Sequence, residues 1–297
     1  MRRMPILLCL LLLTIGTALG ASPSELQQRP HPAFASPTLD PALPETYLAL
    51  PTRPGVTLPV VLLAPDKPRA AVILFAGGNG DIGVQDQGGL AVIRRQGNFL
   101  VRSRRLFAGQ GLVVAVPDAP SDVSGVSGQA SGMSPRFRFS DEHLADIRAL
   151  ALHLRGRYGF KPWLIGTSMG TLSAAWAAAR LGDDISGLVL TSTVTRTGKR
   201  WDIASSQPRA VLDAGLPQVK VPTLVVAHGS DTCHVTPPGD VPRLMELLDA
   251  APRKERMIFE GGLPLQSDVC EAMSPHGYHG LAEQVVQAIA GFMLKGQ

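Results

Sequence analysis

The 297-residue sequence is poor in aromatic residues, charged residues and cysteine. Aromatic residues make up 5% and charged residues 18% of the chain, whereas 45% is hydrophobic, so the composition excludes a disordered protein and favours a large buried core. Three cysteines are too few for a disulfide-rich scaffold. Glycine and proline are frequent, which favours short strands and helices joined by tight turns over long helices or coiled coils.

Long apolar runs are absent beyond the N-terminus. The first residues combine two arginines, an apolar run over 5–15 and small residues up to Gly20, a pattern typical of a signal peptide over 1–20 that is cleaved near Gly20. The run is too short to span a bilayer comfortably, and a retained membrane anchor is the alternative. We therefore expect a secreted or periplasmic protein without stable membrane insertion after cleavage.

An excess of basic residues is also largely lacking. The formal net charge is +4, and loss of the signal peptide with its two arginines leaves +2. This small charge, together with the few aromatic residues, gives no support for nucleic-acid binding. A cluster of arginines is interpreted as a solvated helix face rather than an anion site. The cluster comprises Arg94, Arg95, Arg102, Arg104 and Arg105.

The remaining chain divides into an arm and one domain. Residues 21–59 are rich in Pro, Ala and Ser and predict an extended arm before a domain at 60–297. Apolar runs without polar alternation predict strands buried on both faces at 60–65, 70–78, 111–120, 162–168, 185–193, 223–231 and 256–262. Segments of helical period lie between them at 98–108, 141–158, 169–181, 240–250 and 280–294. The alternation predicts a doubly wound α/β fold with a mostly parallel sheet and no large cap domain.

Ser168 lies in the sequence Gly166-Thr167-Ser168-Met169-Gly170, between a predicted strand and a predicted helix. This is the context of a G-x-S-x-G nucleophile elbow, in which the serine stands at the tip of a sharp, strained turn. Glycine is needed two positions to either side because larger side chains would collide with the neighbouring strand and helix. The alternative is a glycine-rich turn in which Ser168 only caps the helix.

On this motif and its context, nearly everything after the arm resembles the α/β-hydrolase superfamily. The resemblance implies a Ser, acid, His triad in that chain order, with the acid after a later strand and the histidine near the last helix. Asp231 follows a predicted strand and is the preferred acid, with Asp240 in reserve. His276 lies in a His-Gly-Tyr step before the last helix and is the preferred base, with His279 as the alternative.

The loop after the predicted strand 70–78 is rich in glycine. The glycines within 78–83 match the dinucleotide fingerprint G-x-G-x-x-G, but no helix opens on them and no acidic residue follows at the required distance, so we exclude that function. The resemblance implies instead that this loop and Met169 each supply one backbone N–H to an oxyanion hole. Gly78 is the preferred donor and Asn79 the next, while Ala76 stands where the family usually has histidine.

Signal cleavage removes Cys9 and leaves an even pair, Cys233 and Cys270. In an oxidising compartment these two residues are expected to form a disulfide. The bond would join the loop of the preferred acid to the loop of the preferred base, and so would help to align them.

The resulting hypothesis is a serine hydrolase that cleaves small-molecule carboxylic esters through an acyl-serine intermediate, with no metal or organic cofactor. One alternative is a secreted binding protein that has the same fold but no activity. A less favoured alternative is a metal-dependent hydrolase. Its ligands would come from Asp231, Cys233, His234, Cys270, His276 and His279.

Overall fold

The computed structural model describes residues 43–124 and 132–295. Its strands are β1 (Thr46–Arg53), β2 (Val56–Leu63), β3 (Ala70–Phe75), β4 (Val84–Gln87), β5 (Leu90–Ile93), β6 (Leu112–Pro117), β7 (Pro162–Ser168), β8 (Gly187–Thr193), β9 (Thr223–His228) and β10 (Lys254–Phe259). Its α-helices are α1 (Phe99–Gly109), α2 (Pro135–Arg138), α3 (Asp141–Tyr158), α4 (Gly170–Leu181), α5 (Val241–Leu247) and α6 (Ala282–Leu294). The predicted signal peptide and most of the predicted arm lie outside the described residues.

The ten strands form one sheet in the order β10-β9-β8-β7-β3-β6-β2-β1-β5-β4. Strands β6, β3, β7, β8, β9 and β10 are parallel, and the other four are antiparallel to their neighbours. Every residue of β3, β6, β8 and β9 is buried, which explains the unbroken apolar sequences of β3 and β6 and the apolar centres of β8 and β9. Helices α3, α4 and α5 pack on one face, and α1 and α6 pack on the other. The doubly wound fold predicted from the sequence is therefore confirmed, and no described segment forms a large cap domain.

The sheet begins earlier in the chain than the sequence predicts. Strand β1 lies inside the segment assigned to the arm, and it pairs with β2 over its whole length, from Thr46 opposite Leu62 to Arg53 opposite Val56. Its residues are only half-buried or exposed, so it lacks the continuous apolar run that marks the inner strands. Arg53 also forms ion pairs with Asp122 and Asp146, which tie β1 to the rest of the domain.

The arginines of α1 are not a solvated helix face, contrary to the sequence-based interpretation. Arg104 is 8% exposed and pairs with Glu45, and Arg105 pairs with the same carboxylate. Arg102 donates hydrogen bonds to the main-chain oxygens of Ala272 and Gly277. The interpretation failed because the segment before β1 and the loop before α6 cover this side of the helix.

Candidate active site

The Ser168 turn joins β7 to α4. Ser168 is the last residue of β7 and has a φ of +51°, in the left-handed region that costs energy for any residue other than glycine. A Cβ atom at Gly170 would lie 2.1 Å from the main-chain oxygen of Phe75 in β3, and one at Gly166 would lie 2.5 Å from the oxygen of Gly170. Both glycines are therefore required sterically, for the reason that the sequence motif suggests.

Asp231 and His276 form a buried pair at the carboxyl edge of the sheet. Asp231 follows β9, His276 precedes α6, and each residue is 5% exposed. His276 Nδ1 lies 3.0 Å from Asp231 Oδ2. An ionised carboxylate can only accept hydrogen bonds, so this contact assigns the proton to Nδ1 and leaves a lone pair on Nε2. The preferred acid and the preferred base are thus in contact, with the base in the tautomer that can accept a proton.

Two further groups of the acid loop hold this pair. Thr236 Oγ1 donates to Asp231 Oδ2 at 2.9 Å and lies 3.0 Å from His276 Nδ1, and the N–H of Cys233 donates to Asp231 Oδ1 at 2.9 Å. Both carboxylate oxygens are therefore fixed by neighbours in the same loop. Sequence reasoning missed Thr236, since its only signal is its position five residues after Asp231.

The main chain of the base loop is anchored to β8 beside Ser168. In the register of the sheet Ser168 lies opposite Thr193, and Ser192, the preceding residue, donates from Oγ to the main-chain oxygen of His276 at 2.7 Å. Tyr278 is fully buried, and its hydroxyl accepts from the N–H of Ser192 at 3.1 Å. Burial raises the pKa of the Tyr278 hydroxyl, which stays protonated. The serine and the histidine therefore share one stretch of the sheet edge.

The two reserve candidates lie outside this pair. Asp240 accepts from Thr195 Oγ1 at 2.7 Å and pairs with Arg196; burial opposes its ionisation, but these hydrogen bonds hold its pKa below the ordinary value. His279 is buried, and its Nε2 has no hydrogen-bond partner among the described residues. Neither residue contacts the Asp231 and His276 pair through a hydrogen bond.

The glycine-rich loop after β3 passes next to the serine. A Cβ atom at Gly77 would lie 3.0 Å from Ser168 Cβ. The N–H of Gly80 closes a turn onto the oxygen of Gly77 at 3.3 Å, and Gly78 inside the turn has a φ of +59°. Within the described part of the chain, the N–H groups of Gly77 and Gly78 have no hydrogen-bond acceptor. Met169, on the other side of Ser168, precedes α4, where N–H groups lack intrahelical partners.

The chain leaves this loop as a strand, not as the helix that a dinucleotide fingerprint requires. Asp118, the residue after β6, fixes the part of the loop that leads into β4 by accepting from the N–H groups of Ile82 at 2.7 Å and Val84 at 2.6 Å. Burial raises the pKa of the Asp118 carboxyl, and these hydrogen bonds partly oppose that shift. The glycines thus allow the chain to form a tight loop beside Ser168.

Cys233 and Cys270 form a disulfide in the structure, as the sequence predicts. Together with His234 they are the group of potential metal ligands found among the described residues. Metal ions bind the thiolate form of cysteine, and both sulfurs are used by the disulfide. Asp231 and His276 are hydrogen-bonded to each other. The disulfide and this pair together do not fit the ligand set of a metal-dependent hydrolase.

Comparisons with known proteins address the fold. No protein-family model and no curated protein sequence matches the chain. An esterase from Pyrococcus furiosus has 15% identity and a TM-score of 0.57, with 85% of this chain and 92% of that chain covered. Est1E from Butyrivibrio proteoclasticus, with ferulic acid bound, has 17% identity and a TM-score of 0.55, with 84% of this chain and 98% of that chain covered. A monoacylglycerol lipase from Paleococcus ferrophilus has 18% identity and a TM-score of 0.54, with 81% of this chain and 99% of that chain covered. With the strand order and the elbow described above, these likenesses show that the chain has the α/β-hydrolase fold.

Proposed function

We propose that the protein is a serine hydrolase that cleaves carboxylic esters of small molecules. The observation that carries the proposal is the strained Ser168 at the end of β7, at the same sheet edge as the bonded pair of Asp231 and His276. A serine hydroxyl is a weak nucleophile unless a base takes its proton, and the pair supplies an oriented base. The structural neighbours include an esterase and a monoacylglycerol lipase, which supports the ester as substrate.

In the proposed reaction, Ser168 Oγ attacks the ester carbonyl while His276 Nε2 takes its proton and Asp231 stabilises the resulting imidazolium. The N–H groups of Met169 and Gly78 donate to the oxyanion of the tetrahedral intermediate. Collapse of the intermediate breaks the bond to the alcohol oxygen, which receives the proton from His276, and leaves an acyl-serine. Water then attacks the acyl-serine while His276 takes a proton from the water. Collapse of the second tetrahedral intermediate breaks the bond to Ser168 Oγ, which receives that proton, and the carboxylic acid is released.

We also propose that the protein acts outside the cytoplasm after cleavage of the predicted signal peptide. The disulfide between Cys233 and Cys270 supports this, because such bonds persist in oxidising compartments. None of the helices in the described residues has the length and apolar character needed to cross a membrane.

The test combines active-site labelling with turnover. A fluorophosphonate probe should label Ser168, and p-nitrophenyl esters of graded acyl length should be hydrolysed. Ser168→Ala should abolish labelling and lower kcat by about 10⁴-fold or more. Ser186→Ala, which removes a partly exposed hydroxyl that donates to the main-chain oxygen of Lys161, is the matched control and should retain both labelling and turnover. A folded protein that neither labels nor hydrolyses any ester of the panel would instead be a non-catalytic binding protein.

A further inference from the structure

Arg138, the last residue of the short helix α2, is completely buried. Arginine is almost never fully buried unless it is paired with an acid. Arg138 forms no ion pair with any carboxylate among the described residues. Burial lowers its pKa to about 9, so the guanidinium is still charged at neutral pH. A buried cation without a carboxylate needs another explanation, because a neutral side chain would fill the same space at less cost.

The guanidinium is bonded to the loop that passes next to Ser168. Arg138 Nη2 donates to the main-chain oxygen of Gly78 at 3.0 Å and to that of Ala76 at 3.2 Å. The loop and the guanidinium are in direct contact at Gly80, where an added Cβ atom would lie 2.7 Å from Nη2. Arg138 therefore binds the main chain of this loop and not one of its side chains.

These two bonds fix the peptide groups on both sides of the preferred oxyanion donor. In a trans peptide the C=O and the following N–H point in opposite directions. The bonded oxygens of Ala76 and Gly78 orient the peptide groups before and after the one that contains the Gly78 N–H. The oxygen of Gly77, in that middle peptide group, is held by the turn to Gly80. Three consecutive peptide groups are thus oriented, and two of them depend on Arg138.

We infer that Arg138 is a positioning residue that orients and polarises the oxyanion loop for the Ser168 reaction. The inference deepens the proposed function and rests on it. A cation bonded to a peptide oxygen draws electron density from the same peptide group, which makes its N–H a stronger donor. A donor that is fixed before the reaction stabilises the oxyanion without a cost of reorganisation. The bond to the Ala76 oxygen orients and polarises the peptide group that carries the Gly77 N–H, whereas the peptide group of the Gly78 N–H is held between the two peptide groups that Arg138 binds.

The third bond of Arg138 anchors the guanidinium to α4, the helix that follows the nucleophile. Nη1 donates to Ser173 Oγ at 2.7 Å, and that hydroxyl lies 2.9 Å from His143 Nε2. Since Ser173 accepts from the arginine, its own proton is available to a neutral His143. The network therefore joins the two segments that supply the oxyanion donors, the loop after β3 and the start of α4.

The experiment compares Arg138→Met, which keeps the volume but removes the charge and the donors, with Arg138→Lys, which keeps the charge and N–H donors but not the planar fork of the guanidinium. Removal of one oxyanion donor lowers kcat by about 10²–10³-fold, so we expect misorientation in Arg138→Met to lower kcat by about 10–100-fold with KM changed by less than about threefold. Affinity for a trifluoromethyl ketone, which forms a tetrahedral adduct with the serine, should fall in parallel with kcat. Arg138→Lys should lie between Arg138→Met and the parent.

Arg104→Met is the matched control, because Arg104 is also buried but is bonded to Glu45 and Val101 instead of the loop. It should lose stability without loss of kcat. An unchanged kcat and unchanged ketone affinity in Arg138→Met would overturn the inference, and if that variant does not fold, an unchanged kcat in Arg138→Lys would do so. Retention of activity in Ser168→Ala would instead refute the proposed function, so the two failures are distinguishable.

Discussion

His276 Nδ1 lies 3.0 Å from Asp231 Oδ2, whereas Nε2 of His279, three residues later, is buried without a hydrogen-bond partner among the described residues. The two histidines offered by the sequence as the base are thus distinguished by their partners. A general base works only if its tautomer is fixed and its free nitrogen faces the nucleophile. The carboxylate contact fixes the tautomer of His276, and no such contact fixes that of His279 among the described residues.

We therefore predict that His276→Gln lowers kcat/KM by about 10³–10⁴-fold, while His279→Gln lowers it by less than about tenfold. Both variants should be compared in hydrolysis of p-nitrophenyl acetate at neutral pH, with thermal unfolding to show that each is folded. A larger loss in His279→Gln than in His276→Gln would reverse the assignment of the base.

Thr236 is expected to matter because its hydroxyl contacts both members of the pair. Thr236→Val keeps the shape and removes the bond to Asp231 Oδ2, and a hydrogen bond to a charged group contributes about 1.5–3 kcal/mol. We predict a decrease in kcat of about 10-fold. Thr195→Val is the matched control, since Thr195 is also buried and bonded to a carboxylate, that of Asp240. Equal kcat values in the two variants would contradict a role for Thr236 in orienting the base.

The disulfide should contribute both stability and activity. It closes a segment with a sequence separation of 37, and Asp231 lies two residues before this segment and His276 six residues after it. For a loop of this size the chain-entropy model gives about 4 kcal/mol of stabilisation. We predict that the double variant Cys233→Ser, Cys270→Ser loses about 2–4 kcal/mol in the free energy of unfolding and part of its kcat. Two free thiols counted in unreduced mature protein would contradict the bond itself.

The features that were predictable from the sequence are those set by local pattern. The bounds of β7 and α3 agree with the predicted 162–168 and 141–158, because the inner strand β7 contains a continuous apolar run and α3 has a clear N-cap. That cap is Ser140, whose Oγ accepts from the N–H of His143. The sharp turn at Ser168 was equally predictable, because the glycines on either side of it are needed for steric reasons within the chain itself.

The features that escaped prediction depend on partners distant in sequence. Strand β1 is recognisable only once β2 lies beside it, since half-buried strands next to Pro and Gly resemble an arm. Arg138 lies in the segment Pro135–Arg138, which looks like an ordinary exposed turn with two arginines, and its burial follows from contacts with residues 76–78 and 173. No single-sequence pattern encodes such contacts.

His143 makes the stability of the fold depend on pH. His143 is buried between Phe75 and Phe137, and burial, followed by the charges of Arg138 and Arg53, lowers its pKa to about 3. The unfolded chain has the ordinary histidine pKa of about 6.5. Between these values the unfolded state binds the proton and the folded state does not, so stability rises with pH from about 3 to 6.5 and is lost as the pH falls through that window.

We predict that His143→Gln, which cannot titrate, removes this contribution of up to about 1.4 kcal/mol per pH unit from the slope of the unfolding free energy. Urea unfolding of the parent and the variant at intervals from pH 4 to pH 7 measures the difference. The two curves should converge as the pH falls. Protonation of His143 in the unfolded chain lowers the stability of the parent, and this does not occur in the variant. His153→Gln, in the same helix but only partly buried, controls for the removal of a histidine from α3. Parallel curves for the parent and His143→Gln would show that His143 is not held neutral in the folded protein.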